Sequence, residues 1–346
     1  MGSVLERRLD AIYAIGGGPG ANRPGYSAAE DEAHRLVTGW MHEAGLEVEV
    51  DPNGNLVGRR TGLEPGLPEV WSGSHLDSVP RGGRFDGPLG VLGALEAIDR
   101  LGRRRRTLGV VAFRDEERGC AGSHARVARG GLPGAWVELH HEQGPRLALA
   151  GAPLGVVTAI VGYKRAERVL EGRAGHAGTT PMDARDDALV RAAAEILRIR
   201  DVARGIDGAV ATVGCLEVEP GGVNVIPGRV RLTIDARAPD DERLARLLDG
   251  LGIDPAGAVP PTSLGGPPAD ALRAAVAERG LPVVELASGA GHDAGVLARA
   301  GVTSAMLFVR AQNAGVSHSP DELSSPEDVA LAVDVLTDAL DRLASS

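Results

Sequence analysis

The period of the apolar positions changes several times along this chain, and the changes divide it into elements. Ser27 and Glu30 have capping-box spacing, and Leu36, Val37, Trp40 and Met41 continue with helical period to a stop at Gly45. Leu46 to Val50 alternates as a strand does, and Asp51-Pro-Asn-Gly-Asn55 turns the chain into Leu56-Val57. Apolar runs at 70–72, 108–113 and 136–139 predict buried strands, with helices between them at 89–101 and 123–129. This alternation predicts an α/β domain with a mostly parallel sheet, whose ligands gather beyond the carboxyl ends of its strands.

Near Gly155 the character changes. Runs at 156–161, 166–171, 209–217 and 229–236 predict an antiparallel sheet, with helices at 186–200 and 240–251 covering one face. The Pro/Gly-rich passage Asp254 to Pro268 closes this stretch. The α/β pattern then resumes with a helix from Ala269, strands at 283–286 and 304–309, and a helix from Pro326. The expected organisation is a discontinuous α/β catalytic domain (1–156 and 267–346) interrupted by an inserted α+β domain (157–266).

Composition narrows the function. The 346 residues are 43% hydrophobic but only 3% aromatic, so the core must rest on aliphatic side chains. A net charge of -10 argues against nucleic acid as a partner. The dense basic run Arg103–Arg106 reads as a solvated helix end. Cys120 and Cys215 are too few for a disulfide framework and are expected to be small buried residues in a reducing compartment. The first residues lack a signal-peptide pattern and no apolar run reaches membrane-spanning length, so a cytoplasmic location is expected.

Candidate chemistry falls at predicted strand ends. His75 follows the run 70–74, Asp115-Glu-Glu117 follows Phe113, His140 follows Leu139, and His318 lies in a loop after Val309. Asp86 sits in Gly82-Gly-Arg-Phe-Asp-Gly87, a loop opening a helix. Three imidazoles and two carboxylates suit Zn²⁺, Mn²⁺, Co²⁺ or Ni²⁺ rather than Ca²⁺ or an iron–sulfur cluster. Five ligands exceed the needs of one catalytic zinc, whereas two ions roughly 3.5–4 Å apart can share one bridging carboxylate. Taken singly each residue is ordinary: His34, His42 and His124 read as structural helix residues, and Glu116-Glu117 could be a solvated pair. The constellation changes that reading.

These residues lie in longer motifs: Gly73-Ser-His-Leu-Asp-Ser-Val-Pro80, Gly83-Arg-Phe-Asp-Gly87, Phe113-Arg-Asp-Glu-Glu117 and Glu138-Leu-His-His-Glu-Gln-Gly-Pro145. Ala174-Gly-His-Ala-Gly-Thr-Thr-Pro-Met182, Asn224-Val-Ile-Pro-Gly228, Asp235-Ala-Arg237, Ser288-Gly-Ala-Gly-His-Asp-Ala294 and Ser317-His-Ser-Pro320 follow. Carrying them, the chain resembles the binuclear-metal amidohydrolases that include N-carbamoyl-L-amino acid hydrolases and allantoate amidohydrolases, relatives of aminoacylases and metal carboxypeptidases. The resemblance implies two divalent ions per subunit, Asp86 bridging them, His75 and His140 completing one site and Glu117 and His318 the other. It implies Asp77 as the residue orienting His75, and Glu116 as the general base that takes a proton from water and passes it to the leaving nitrogen. It implies a lid and dimerisation role for the inserted domain, a homodimer, and a His176 that serves the partner subunit's site by steadying the oxyanion. Gln143, Asn224, Arg237, Gly289 and His292 are implied to hold the substrate, Arg237 on its carboxylate.

This chain departs from the family pattern in several places. Arg118 stands between the paired glutamates and Gly119, the stretch from Glu117 to His140 is short, and Asp254 to Pro268 leaves little room for a last strand of the insert. His141 replaces a typical aliphatic residue, and Arg310-Ala-Gln-Asn313 replaces a Pro-Ser loop. The expected reaction is hydrolysis of an N-carbamoyl-L-amino acid to the L-amino acid, CO₂ and NH₃, with allantoate as the nearest competing substrate. A dipeptidase or N-acyl-amino acid deacylase is the alternative chemistry, disfavoured by His140 where peptidase relatives carry an acidic ligand. A non-catalytic binding protein is disfavoured by Glu116. A serine hydrolase built on Ser288, His292 and Asp293 lacks the G-x-S-x-G elbow.

Overall fold

The computed structural model describes residues 3–346, and its contacts divide the chain into two compact units. The larger joins the segment ending at Ile160 to Ser263–Ser346; the smaller is Val161–Thr262.

The larger unit is built on a nine-stranded sheet among the described residues. Its strands are β1 (Glu47–Val50), β2 (Leu56–Arg60), β3 (Val70–His75), β4 (Leu108–Phe113), β5 (Ala135–His141) and β6 (Leu154–Ile160). Beyond the insert they continue as β12 (Thr262–Ser263), β13 (Glu285–Ser288) and β14 (Thr303–Val309). The spatial order β4-β3-β5-β14 forms a parallel centre, with β1, β2 and β6 added antiparallel at its flanks and β13 parallel to β6. β3, β4 and β5 are buried at every position. This explains their continuous apolar runs, because a central parallel strand is covered on both faces. Val110 enters one core cluster and Val111 the other, on opposite faces of β4.

The helices of this unit are α1 (Val4–Tyr13), α2 (Ala28–Glu43), α3 (Pro88–Leu101), α4 (Ala121–Arg129), α5 (Arg146–Leu149), α8 (Pro267–Ala277), α9 (Asp293–Arg299) and α10 (Pro326–Ser345). α1 is absent from the sequence reading, yet its Ser3–Glu6 pair makes a complete capping box. The predicted box at Ser27 is only half formed. Ser27 Oγ accepts the Glu30 N–H, but the Glu30 carboxylate turns inward to the Tyr26 and Asp115 N–H groups and to Arg114. The basic run is not merely solvated. Arg103 bonds the Thr61 and Gly62 carbonyls, Arg104 meets Asp341, Arg105 meets Glu64, and Arg106 bonds the Ser346 carbonyl.

The smaller unit pairs β7 (Gly162–Glu171), β11 (Arg229–Ala238) and β9 (Val210–Glu219) antiparallel, in the order β7-β11-β9. A two-residue ladder joins β8 (Gly175–His176) to β10 (Val225–Ile226). Helices α6 (Ala188–Arg204) and α7 (Asp241–Leu251) pack on the buried alternate residues Val230, Leu232, Ile234 and Ala236.

Two expectations are corrected. The run at 156–161 belongs to the large sheet rather than to the insert's antiparallel sheet. Leu154, Gly155, Val156 and Val157 are buried consecutively, which suits an interior strand and not a half-exposed one. Cys215 is exposed, on the largely exposed strand β9, while Cys120 is buried. No described helix is long and apolar enough to cross a membrane.

Candidate metal centre

The parallel strands deliver the site. His75 is the last residue of β3, Glu116 and Glu117 follow β4, and His140 lies near the end of β5, opposite Phe308 of β14. His318 comes from the loop after β14. Asp86 immediately precedes Gly87, the cap of α3, whose φ of +81° suits glycine. A Cβ there would also stand 2.5 Å from the His75 ring, so a side chain at 87 would displace the imidazole.

Two candidate metal-holding groups form around one carboxylate. His75, Asp86 and His140 make one, and Asp86, Glu117 and His318 the other. Asp86 Oδ1 lies 3.7 Å from His75 Nε2 and 3.3 Å from His140 Nε2; Oδ2 lies 3.2 Å from His318 Nε2. Glu117 Oε2 is 3.4 Å from the same His318 nitrogen. The five residues singled out as ligands therefore converge, with Asp86 in the middle.

The ring protons follow from the hydrogen bonds. His140 Nδ1 donates to the His141 carbonyl at 2.8 Å, and His75 Nδ1 faces the Asp77 carbonyl at 3.2 Å and carboxylate at 3.3 Å. Both imidazoles thus turn a lone pair on Nε2 towards Asp86. His140 Nε2 and Asp86 Oδ1 are buried without a hydrogen-bond partner among the described residues. Two acceptors this close in a dry site repel, and a divalent cation satisfies both. The mixed nitrogen and oxygen donor set fits such an ion.

Electrostatics reflect the crowding. Burial opposes ionisation of Asp86, but the surrounding imidazoles of His318, His140 and His75 hold its carboxyl far below the usual range. Burial, then the charge of Asp86, pushes Glu117 up to about 7. Burial also pushes Glu116 well above the ordinary carboxylate value, though His75 opposes it. His318 rises to about 9, chiefly through its bond to Asp86. Glu116 Oε2 stands 3.7 Å from His75 Nε2, beside the candidate ions' ligands but in neither group.

Asp77 supports this arrangement. Its Oδ1 accepts the Glu116 N–H at 3.0 Å and its Oδ2 the Glu117 N–H at 3.2 Å. Gln143 donates its side-chain amide to Asp86 Oδ2 at 3.0 Å. Gln143 and His318 both adopt left-handed backbone, with φ of +57° and +54°, conformations that cost non-glycine residues energy and cluster at functional sites. His292 is buried edge-on against the His140 ring, with centroids 4.5 Å apart and Nε2 bonded to Ser288 Oγ at 2.8 Å. Among the described residues Asp293 makes no hydrogen bond to His292, so the Ser288–His292 pair lacks the carboxylate a triad requires.

Within the smaller unit, His176 pairs with Val225, and the Ala177 N–H bonds the Asn224 carbonyl, so these two predicted residues are neighbours. His176 Nδ1 accepts the N–H groups of Gly178 and Thr179, which leaves the ring proton on Nε2. Arg237 makes a two-point bond to Asp235, at 2.7 and 3.2 Å.

Sequence reasoning missed Glu322. Its Oε1 accepts the Phe85 and Asp86 N–H groups and its Oε2 the Ser317 hydroxyl. The signal available was an acidic residue shortly after Ser317-His-Ser-Pro320, with no local pattern to show which way it points.

Comparison with known proteins identifies the family. The model of peptidase family M20/M25/M40 matches residues 71–342. An N-carbamoyl-L-amino acid amidohydrolase of Geobacillus stearothermophilus is 36% identical over 405 aligned positions, covering 99% of this chain and 98% of that protein. An allantoate amidohydrolase of Bacillus subtilis is 32% identical, covering 96% and 95%. A ureidoglycolate hydrolase of Oryza sativa is also 32% identical, covering 98% and 84%. The crystal structure of a hydantoinase/carbamoylase family amidase from Burkholderia multivorans superposes with a TM-score of 0.91 at 32% identity, covering 99% of this chain and 97% of that one. By motif, fold and relatives, the chain belongs to peptidase family M20/M25/M40 and groups there with the hydantoinase/carbamoylase amidohydrolases.

Proposed function

We propose that this protein hydrolyses the ureido bond of an N-carbamoyl-L-amino acid, giving the L-amino acid, CO₂ and NH₃. The observation that carries the proposal is the convergence of His75, His140, Glu117 and His318 on Asp86, with Glu116 beside them. Two divalent ions (Zn²⁺, Mn²⁺, Co²⁺ or Ni²⁺) held by these five ligands would polarise the ureido carbonyl and make water a nucleophile near neutral pH.

The rest falls to the chain's own side chains. Glu116, whose burial favours proton uptake, accepts the proton of the attacking water and hands it to the leaving nitrogen. Asp77 holds His75 in the right tautomer and pins the Glu116-Glu117 backbone. His176 offers Nε2–H to the developing oxyanion, acting in the site of the partner subunit of a homodimer. Arg237 is assigned the substrate carboxylate, and Gln143, Asn224, Gly289 and His292 are assigned further contacts to the substrate. A cytoplasmic small-molecule hydrolase results.

The test is ammonia release by the metal-loaded protein from a panel of N-carbamoyl-L-amino acids, allantoate and ureidoglycolate. Turnover of carbamoyl amino acids well above the others supports the reading, and no ammonia from any ureido acid overturns it. Preference for allantoate or ureidoglycolate keeps the chemistry and reassigns the substrate, in line with the relatives of those names.

A further inference from the structure

Glu322 is a buried carboxylate that the roles above do not use. One carboxylate oxygen reaches a separate loop and the other braces Glu322's own loop, the one after β14. Oε1 takes the N–H groups of Phe85 and Asp86 at 2.7 and 3.0 Å, and Oε2 takes the Ser317 hydroxyl at 2.7 Å. One of these loops carries Asp86, and the other carries His318 directly after Ser317. The sequence leaves room for the carboxylate, since a Cβ on Gly83 would stand 2.1 Å from its carbon.

This inference rests on the proposal that Asp86, Glu117 and His318 hold an ion. We propose that Glu322 is a positioning residue, tying the Asp86 loop to the His318 loop so that this second ion finds its ligands in place. The need for a tie is local. The His318 side chain is 51% exposed and its backbone is left-handed, so packing alone does little to hold it. Its Nε2 nevertheless stands within 3.2 Å of Asp86 Oδ2. The tie is made by protein groups alone, so ordering the loop does not depend on the ion's own contacts. Buried groups that orient metal ligands in this way change metal affinity on the order of 10–100-fold when removed.

The variants separate geometry from charge. In Glu322→Gln the amide oxygen can still accept both N–H groups, and the amide NH₂ faces a serine oxygen that can accept. Glu322→Ala removes every link, and Ser317→Ala removes only the bond from Glu322 to Ser317 within the loop that carries both Glu322 and His318. Full-length proteins are loaded with Zn²⁺ or Mn²⁺, and ion content and affinity are measured by elemental analysis and competition with a chromophoric chelator. Thermal unfolding and the kcat against KM split are followed alongside.

Wild type is expected to hold two ions. Glu322→Ala should keep one and bind the other roughly 10–100-fold more weakly. Ser317→Ala should shift the same ion by less, Glu322→Gln should bind like wild type, and losses should fall on kcat rather than KM. Unchanged binding in Glu322→Ala overturns the inference, and so does a Glu322→Gln as weak as the alanine variant. If Glu322→Ala fails to fold, Ser317→Ala and Glu322→Gln decide alone. A wild type holding fewer than two ions overturns instead the two-ion reading beneath it.

Discussion

Asp77 Oδ1 accepts the backbone N–H of Glu116 at 3.0 Å while standing 3.3 Å from Nδ1 of His75. One buried carboxylate thus fixes both the tautomer of a candidate metal ligand and the backbone of the candidate base. Asp77→Ala should lose one or both ions and cut kcat on the order of 10–100-fold. Asp77→Asn should also be impaired, because its NH₂ would face a backbone N–H where an oxygen now accepts. Metal content and kcat of both variants check this, and full metal with normal kcat in Asp77→Ala would count against the role.

How far the sequence disclosed this site depends on the range of each interaction. His75, Glu117 and His140 were legible because each follows a short apolar run, and parallel strand ends converge. Asp86 was legible from the glycines around it. The membership of Leu154–Ile160 was not, since an apolar run does not say which sheet will pair with it. Nor were the inward turn of Glu30 and the double link of Glu322, which spans 236 and 237 residues of chain to reach Asp86 and Phe85. Both are carboxylates that look like helix-cap or surface residues until distant backbone N–H groups are placed against them. α1 was missed for a simpler reason, as its apolar face is short and sits at the start of the chain.

Metal removal should destabilise the protein, and more so as pH rises. Burial pushes the ligand Glu117 up to about 7, above an unfolded carboxyl near about 4.3. A group with a raised folded pKa stabilises fully below its unfolded value and loses that contribution as pH climbs through the folded one. His318, raised to about 9 by Asp86, acts in the same direction at higher pH. The chelated protein should therefore lose Tm steadily between pH of about 5 and 9. Divalent metal at one hundred times its Kd should return about 2.7 kcal/mol. Thermal unfolding at several pH values, with chelator and with Zn²⁺ or Mn²⁺, measures both effects. A chelated protein whose Tm is flat over this range would contradict the prediction.

Arg237 is held ready by its two-point bond to Asp235, with Arg165 also on Asp235 at 3.1 Å. An internal carboxylate that fixes the fork lowers the entropy lost when a second carboxylate arrives. Arg237→Ala should raise KM on the order of 10–100-fold, the value of charge-assisted hydrogen bonds worth about 1.5–3 kcal/mol, with a smaller effect on kcat. Arg237→Lys should recover little, because an ammonium cannot reproduce the planar fork. Steady-state kinetics on the best ureido carboxylate decide it, and an unchanged KM would move the carboxylate site elsewhere.

The assignment of His176 to the partner's site makes a quantitative prediction. Its Nε2 carries the ring proton because Nδ1 already accepts two backbone N–H groups. Removing such an oxyanion donor costs kcat on the order of 10²–10³-fold, so His176→Ala should be nearly inactive while binding its metals normally. Glu116→Ala should be inactive for lack of the base. In a hybrid dimer of the two variants, the subunit that keeps Glu116 receives His176 from its partner, and the other site lacks both. With random exchange half the dimers are hybrids and each has one working site, so the mixture should regain about a quarter of wild-type activity. Titrating one inactive variant into the other, with exchange confirmed by differently tagged subunits, tests this directly. A mixture that stays inactive despite exchange would place His176 in its own subunit's site, since a base and a donor confined to one chain can never be reunited by mixing.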